Sequence, residues 1–211
     1  MSQYQRLCVT NTITFISLAS LNSPIMTTKP TGYILWEGLS RLDNQPIVAI
    51  AVAKSTNRKT GNMVQVYILR SDIHPVEAVN NGDDYSICGD CVHRGINGEK
   101  RSCYVNVGQG PNAVYKAFKA GKYPLIDQFS ESMFIGRKIR WGAYGDPSLI
   151  PVDVVNKYNA IAVDHTGYTH QWKRFSEYAG IFQASTETEI ERLNAQQRGC
   201  LLYTSPSPRD R

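Results

Sequence analysis

Short runs of apolar and β-branched residues dominate the first part of the chain and predict β-strands. The runs are Tyr33–Trp36, Pro46–Ala53 and Met63–Leu69, and each has the length and composition that strands favour. The polar segment Asn57–Asn62 separates the second run from the third, and its Gly-Asn pair is typical of a hairpin turn. The pattern therefore predicts an antiparallel hairpin at the start of the domain.

Helical and strand signals alternate in the second half of the chain. They are a turn of helix at Pro75–Val79, a helix from Pro111 to Gly121, a short helix at Ile126–Phe134, a strand at Lys138–Tyr144, a helix from Pro151 through Tyr158, strands at Ala160–Val163 and Ile181–Ala184, and a helix to Gln197 that begins with a Thr186–Glu189 capping box. This order predicts an α/β fold, in which an α+β N-terminal hairpin precedes a partial β/α barrel or an open, mostly parallel sheet.

The two ends differ in character from the middle, and we expect a single α/β domain over residues 26–199. Met26 opens a segment typical of a natural start, so residues 1–25 are expected to be a non-native or disordered extension. The alternative is a secretory signal peptide over Val9–Leu21, which is disfavoured because that stretch is rich in Ser, Thr and Asn. Residues 200–211 resemble sequencing-adapter read-through and are expected to be disordered, with the natural protein truncated near Gly199.

The composition excludes several classes of protein. The 211 residues include 23 Lys and Arg against 18 Asp and Glu, and 42% are hydrophobic, which is enough for one domain with a buried core. Collagen-like, disordered and disulfide-dense chains are excluded. No run of about 18 apolar residues predicts a membrane span. The net charge of +5 does not by itself indicate nucleic-acid binding, although a local basic patch is compatible with it.

Three cysteines in the loop over residues 85–104 are the strongest chemical signal. Cys88 and Cys91 form a C-x2-C pair, which places two thiolates on one turn, and Cys103 follows eleven residues later. An odd and closely spaced set favours metal binding in a reducing compartment over a disulfide framework. Three interpretations stay open. They are zinc bound by the thiolates and His93, an iron–sulfur cluster bound by three cysteines, and three free thiols.

Polar clusters follow the predicted strands of the second half, where α/β proteins place their ligand sites. Asp146 ends one strand, and both a catalytic carboxylate and a turn residue before proline fit this position. Tyr168 and His170 lie in a segment with a second histidine and two threonines, and they are further catalytic candidates. Gln109, at a predicted helix start, and Arg140 are candidate contacts for an anion, a cofactor or a substrate.

Four segments carry a resemblance to a family of phage and plasmid proteins. They are Cys88–Arg94, Arg101–Gln109, Tyr144–Pro147 and Thr166–Trp172. With Lys59–Gly61, they make the stretch from Thr31 to Gly199 similar to the family named for phage gene product 88. A more distant likeness is to phage proteins related to the radical S-adenosylmethionine enzymes. In these a cysteine loop ends in Cys-Tyr, as at Cys103-Tyr104, although their usual spacing is C-x3-C-x2-C.

The resemblance implies a metal-dependent protein in the cytoplasm of a bacterial host. The three cysteines would bind an iron–sulfur cluster or zinc, S-adenosylmethionine is a candidate cofactor, and the catalytic candidates would face the metal and act on an unknown substrate. The alternative is a non-catalytic zinc module that contacts nucleic acid or a host protein through Arg94, Lys100 and Arg101. No membrane partner is expected.

Overall fold

The computed structural model describes residues 30–53, 60–95 and 100–204. The strands in these ranges are β1 (Gly32–Leu39), β2 (Pro46–Val52), β3 (Val64–Arg70), β4 (Lys138–Tyr144), β5 (Asp164–Thr166), β6 (Tyr168–Thr169), β7 (Gln183–Thr186) and β8 (Leu201–Thr204). The α-helices are α1 (Pro75–Asn81), α2 (Tyr85–Cys88), α3 (Gly110–Lys119), α4 (Val152–Ile161) and α5 (Glu189–Gln197). The α/β fold class predicted above is confirmed.

A five-stranded sheet in the order β1-β2-β3-β4-β5 contains most of the core. Its first three strands pair antiparallel, as the predicted hairpin requires, and β4 adds in parallel to β3 and to β5. Ile47–Ala51 in β2 are buried without alternation, which is typical of a central strand covered on both faces. The first half of the predicted turn, residues 57–59, lies outside the described residues.

The remaining strands form a second sheet in the order β6-β7-β8, and all of them are parallel. The parallel strands of the second half are therefore divided between two sheets. The division occurs at Gly167, where a Cβ atom would lie 2.7 Å from Cδ1 of Phe182. Neither strand order closes on itself among the described strands, so the open form, and not the barrel, is the one adopted there.

Aromatic side chains connect the elements around the first sheet. Trp141 from β4 lies against Phe182, with ring centroids 6.3 Å apart, and Phe182 stacks on Tyr178 at 5.6 Å. The indole nitrogen of Trp141 donates to Asn159 Oδ1 in α4 at 2.8 Å. This cluster fixes β4 against the segment that leads into β7, and so places the ends of the two strands near each other.

Two local predictions were wrong in their boundaries. The strand predicted over Ala160–Val163 is not formed, because α4 continues to Ile161 and β5 begins only at Asp164. The helix predicted over Ile126–Phe134 is reduced to a 3₁₀ turn at Ser130–Phe134. The residues before this turn instead bond to the edge strand β1: Ile34 donates to the Pro124 carbonyl, and Ile126 donates to the Ile34 carbonyl.

The capping box of α5 lies two residues beyond its predicted position. Thr188, and not Thr186, is the N-cap, and its Oγ1 accepts from the Glu191 backbone N–H. The Glu191 carboxylate in turn accepts from the Glu187 N–H at 2.8 Å. A threonine followed three residues later by a glutamate occurs at Thr186 and again at Thr188. Because β7 continues to Thr186, the helix begins after the second of these threonines.

The disorder expected for residues 200–211 was wrong for the start of that segment. Leu201–Thr204 form β8, which pairs in parallel with β7. Cys200 and Leu202 pack against a small second cluster made of Trp172, Ala184 and Ala195. Residues 205–211 and the extension predicted over residues 1–25 lie outside the described residues.

Candidate metal centre

The cysteine loop begins with α2 and is held against the segment that follows β6. Gln171 donates from Nε2 to the Cys88 carbonyl at 3.1 Å. Gly89 ends α2 with a φ of 58°, and a Cβ atom there would lie 2.5 Å from Gln171 Cδ. Only glycine permits both this backbone conformation and this contact.

A buried ion-pair network fixes the loop from its inner side. Arg94 donates to Asp84 Oδ1 from Nε at 2.9 Å and from Nη2 at 2.7 Å, and Arg101 Nη1 lies 3.3 Å from Asp84 Oδ2. The side chains of Asp84 and Arg94 are 2% and 7% exposed. Two of the basic residues that suggested a nucleic-acid contact therefore point into the protein, where they pair with a carboxylate.

The three loop cysteines are partly buried and interact with one another. Burial raises the pKa of Cys88 well above its ordinary value, and the charges of Asp84, Cys91 and Cys103 raise it further. Burial also raises the pKa of Cys91 to about 12, with Cys103 among the further causes. Without a cation Cys88 and Cys91 are therefore neutral thiols at pH 7. A metal ion reverses this preference because it binds the thiolate.

Two buried hydrogen-bond donors next to the thiols have no partner in the part of the chain that the structure describes. They are Arg101 Nη2 and Tyr144 Oη. Burial raises the pKa of Tyr144, and the charges of Cys88 and Asp84 raise it further, which places the phenol close to the cysteine loop. A buried donor without a partner costs about 1–3 kcal/mol, so both atoms favour a bound group that carries an acceptor. Thiolate sulfur is a ligand of both zinc and iron–sulfur clusters, so the chemistry of the three loop cysteines is compatible with either group.

A second group of ligand-type side chains lies beside the cysteines. One ligand atom each from His93, His170 and Glu187 lies within 4.8 Å of the other two. Glu187 Oε1 is 3.5 Å from His93 Nε2 and 3.7 Å from His170 Nε2. Cys91 Sγ is 3.8 Å from the same nitrogen of His170. Among the described residues the three cysteine sulfurs do not form so compact a group.

Each member of this group comes from a different part of the fold. His93 lies on the 3₁₀ turn Val92–Arg94, His170 follows β6, and Glu187 follows β7. His93 was predicted as a fourth ligand to the cysteines, and its Nε2 lies near Glu187. Sequence reasoning missed Glu187. The signal that points to it is its position directly after a strand, next to a polar cluster.

The backbone of His170 is held in place by Asp146, and its imidazole has a lowered pKa. Its backbone N–H donates to Asp146 Oδ2 at 2.8 Å. Burial is the main cause that lowers the pKa of His170, and the neighbouring His93 lowers it further, while the charge of Asp146 opposes the shift. A lowered pKa keeps the imidazole neutral at pH 7, which is the form that binds metals.

Asp146 accepts hydrogen bonds with both carboxylate oxygens. Oδ1 accepts from Ser148 N at 3.0 Å and from Ser148 Oγ at 2.7 Å. Oδ2 accepts from Thr169 Oγ1 at 3.1 Å as well as from His170 N. The residue is 6% exposed. This predicted catalytic residue therefore joins the end of β4 to the end of β6, and acts on the site by positioning His170.

The other predicted site residues have varied surroundings. Tyr168 is partly buried in β6, opposite Gln183. Gln109 is exposed at the N-cap of α3, where its side chain makes no capping bond. Arg140 donates to Tyr104 Oη at 3.2 Å and to Gln65 Oε1 at 3.5 Å.

A cavity of about 140 Å³ opens beside His170. His170 and Glu187 line it together with Asp90, Trp172, Lys173 and Arg174. Arg174 pairs with Asp90 at 2.6 Å, and Lys173 pairs with Glu191. The charges at its wall are therefore largely compensated, which leaves the two ligand-type residues as its reactive groups.

The chain matches no protein-family model. No curated protein and no solved structure matches it either. The family resemblance and the functions that it implies accordingly stay predictions.

Within the described ranges, none of the helices has the length and apolar character needed to cross a membrane.

Proposed function

We propose that this chain is a metal-dependent enzyme whose zinc ion or iron–sulfur cluster is bound by Cys88, Cys91 and Cys103. The observation that carries the proposal is a pair of buried donors, Arg101 Nη2 and Tyr144 Oη, that have no partner among the described residues, together with three loop cysteines whose charges interact. A structural arrangement of neutral thiols would leave the guanidinium nitrogen and the phenol unsatisfied.

Charge balance supports the same interpretation. Arg101 lowers the pKa of Cys88 and of Cys91, against the effect of burial. The neighbouring Asp84 already balances Arg94 through two hydrogen bonds. Three thiolates with a bound cation would add a net negative charge, which the remaining positive charge of Arg101 offsets.

Three protein ligands leave one coordination position open on a tetrahedral ion or on one iron of a cluster. An open position is what a substrate or a cofactor with its own donor atoms requires. S-adenosylmethionine, which the resemblance implies, has such donors in its amino and carboxylate groups. The cavity lined by His170 and Glu187 lies on the histidine side of Cys91, where a substrate would reach the centre.

Metal analysis of single variants tests the proposal. The full chain is purified without oxygen, and its iron, sulfide, zinc and visible spectrum are compared with those of Cys88→Ser and Cys103→Ser. Cys200→Ser is the matched control, because Cys200 packs in the second cluster and not in the loop. We expect each loop variant to lose metal while the control keeps it. Loop variants that fold and retain the full metal content of the control would overturn the proposal.

A further inference from the structure

We infer that His93, His170 and Glu187 form a second metal site, which takes one divalent transition-metal ion and leaves a position open for water. Two imidazoles and one carboxylate suit zinc and similar ions better than magnesium or calcium, which prefer oxygen ligands alone. Its three ligands differ from those of the proposed cysteine centre, and Cys91 Sγ lies 3.8 Å from His170 Nε2 where the two sites adjoin.

The distances between donor atoms fit coordination better than hydrogen bonding. Glu187 Oε1 lies 3.5 Å from His93 Nε2 and 3.7 Å from His170 Nε2, and both values exceed the usual 2.7–3.2 Å range of an N–H···O bond. Ligand atoms about 2.0–2.1 Å from a tetrahedral zinc ion lie about 3.3 Å from one another. The carboxylate thus lies between the two rings at nearly the spacing that a shared ion imposes.

The ligands are oriented by contacts that do not need the ion. His93 Nδ1 lies 2.9 Å from Ser102 Oγ, so a proton on Nδ1 leaves the Nε2 lone pair free, as in known metal sites. The His170 backbone is fixed by the buried Asp146. The Glu187 backbone N–H donates to Glu191 at the start of α5. Three independent elements therefore hold three donors in place.

Their exposure favours a reactive site over a purely structural one. The side chains of His93, His170 and Glu187 are 30%, 22% and 30% exposed, and two of them line the cavity described above. Three protein ligands with an open position facing a cavity are typical of catalytic zinc, which lowers the pKa of its bound water to about 7. The site would therefore supply hydroxide to an electrophilic substrate.

Zinc titration separates this inference from the proposed cysteine centre. In the variant Cys88→Ser/Cys103→Ser, which keeps Cys91 beside His170, we expect calorimetry with Zn²⁺ to show one ion per chain. Adding Glu187→Gln or His93→Ala should weaken that binding at least about 100-fold. Glu189→Gln is the matched control, because Glu189 pairs with Arg192 on the exposed face of α5. It should leave the affinity unchanged.

A folded double-cysteine variant that binds no zinc would overturn the inference, and so would equal affinity of the Glu187→Gln and Glu189→Gln forms. If the double variant does not fold, the same comparison is made in the full chain with its cysteines intact. There Glu187→Gln should remove one bound ion and leave the metal of the cysteine centre in place. Unchanged total metal in folded Glu187→Gln would then overturn the inference.

Discussion

At the residue scale, the decisive feature is what each polar side chain bonds to. The Asp146 carboxylate is saturated by Ser148, Thr169 and His170, whereas Glu187 lies between two imidazoles at longer distances. The sequence predicts Asp146 as a site residue because it ends a strand, whereas it does not predict Glu187. The structure gives the two residues the opposite roles: Asp146 positions His170, and Glu187 is a candidate metal ligand.

The role of Asp146 predicts a loss of stability. Asp146→Ala leaves donors of Ser148 and His170 without their acceptor, whereas Thr169 Oγ1 keeps Ser148 Oγ, so the free energy of unfolding should fall by about 3 kcal/mol, measured by urea denaturation. Asp164→Ala is the control, since Asp164 forms an exposed pair with Lys138 and its loss should leave stability almost unchanged. Equal stabilities for the two variants would contradict the positioning role.

Gly89 offers a second prediction at the same scale. Gly89→Ala combines a strained positive φ with a clash against Gln171, whereas Gly121→Ala has a φ of +66° with nothing within 4 Å of the added Cβ. Both should lose about 1–2 kcal/mol from backbone strain. Only the Gly89 variant should also lose metal, because the cysteine loop must move away from Gln171. Full metal content in both variants would show that this contact does not position the loop.

At the element scale, the ends of strands and helices bring the ligands together. β6 and β7 are adjacent and parallel, so the residues that follow them, His170 and Glu187, leave the second sheet at the same edge. The capping interactions of α5 then fix the backbone of Glu187. The cysteine loop contacts the second sheet at this edge.

The helix cap should therefore affect both stability and metal binding. Thr188→Ala removes the cap of α5 and should lower the free energy of unfolding by about 1 kcal/mol. It should also weaken zinc binding in the double-cysteine variant, because Glu187 loses a fixed neighbour. Thr186→Val is the control, since Thr186 Oγ1 is buried without a partner among the described residues. We expect stability in that variant to be unchanged or slightly higher.

At the scale of the whole molecule, the chain builds two sheets and places the candidate centres where the cysteine loop meets the second one. The loop is anchored to the second sheet through Gln171 and internally through Asp84. β8 completes that sheet and covers the edge of β7. An uncovered parallel edge is prone to association with other chains.

Removal of residues 200–211 tests the contribution of β8. The truncated chain loses the pairing with β7 and the contacts of Cys200 and Leu202 with Trp172. We expect the free energy of unfolding to fall by about 2 kcal/mol, which lowers the melting temperature by about 4–8 °C for a domain of this size. Removal of residues 205–211 alone is the control. Identical melting of the two truncated forms would show that β8 adds nothing to stability.

Local sequence chemistry was enough for much of the fold. The apolar, β-branched run Pro46–Ala53 and the segment Lys138–Tyr144 predict β2 and β4 closely, and Pro111 lies in the first turn of α3, as predicted. Such signals succeed because strand alternation, helix starts and turns depend on neighbours a few residues apart. The C-x2-C loop is recognisable for the same reason.

The assembly of the site was decided only by the tertiary structure. Cys91 and His170 are 79 residues apart in the chain, and Glu187 joins His93 only because β7 adds to β6 in a second sheet. Arg94 points inward because it pairs with the buried Asp84, although the basic residues of the cysteine loop suggest an exposed positive surface when the sequence is considered alone. Residue types and spacing determine which chemistry is available, whereas packing between distant segments determines which groups meet, because burial and donor–acceptor pairing act across the whole fold.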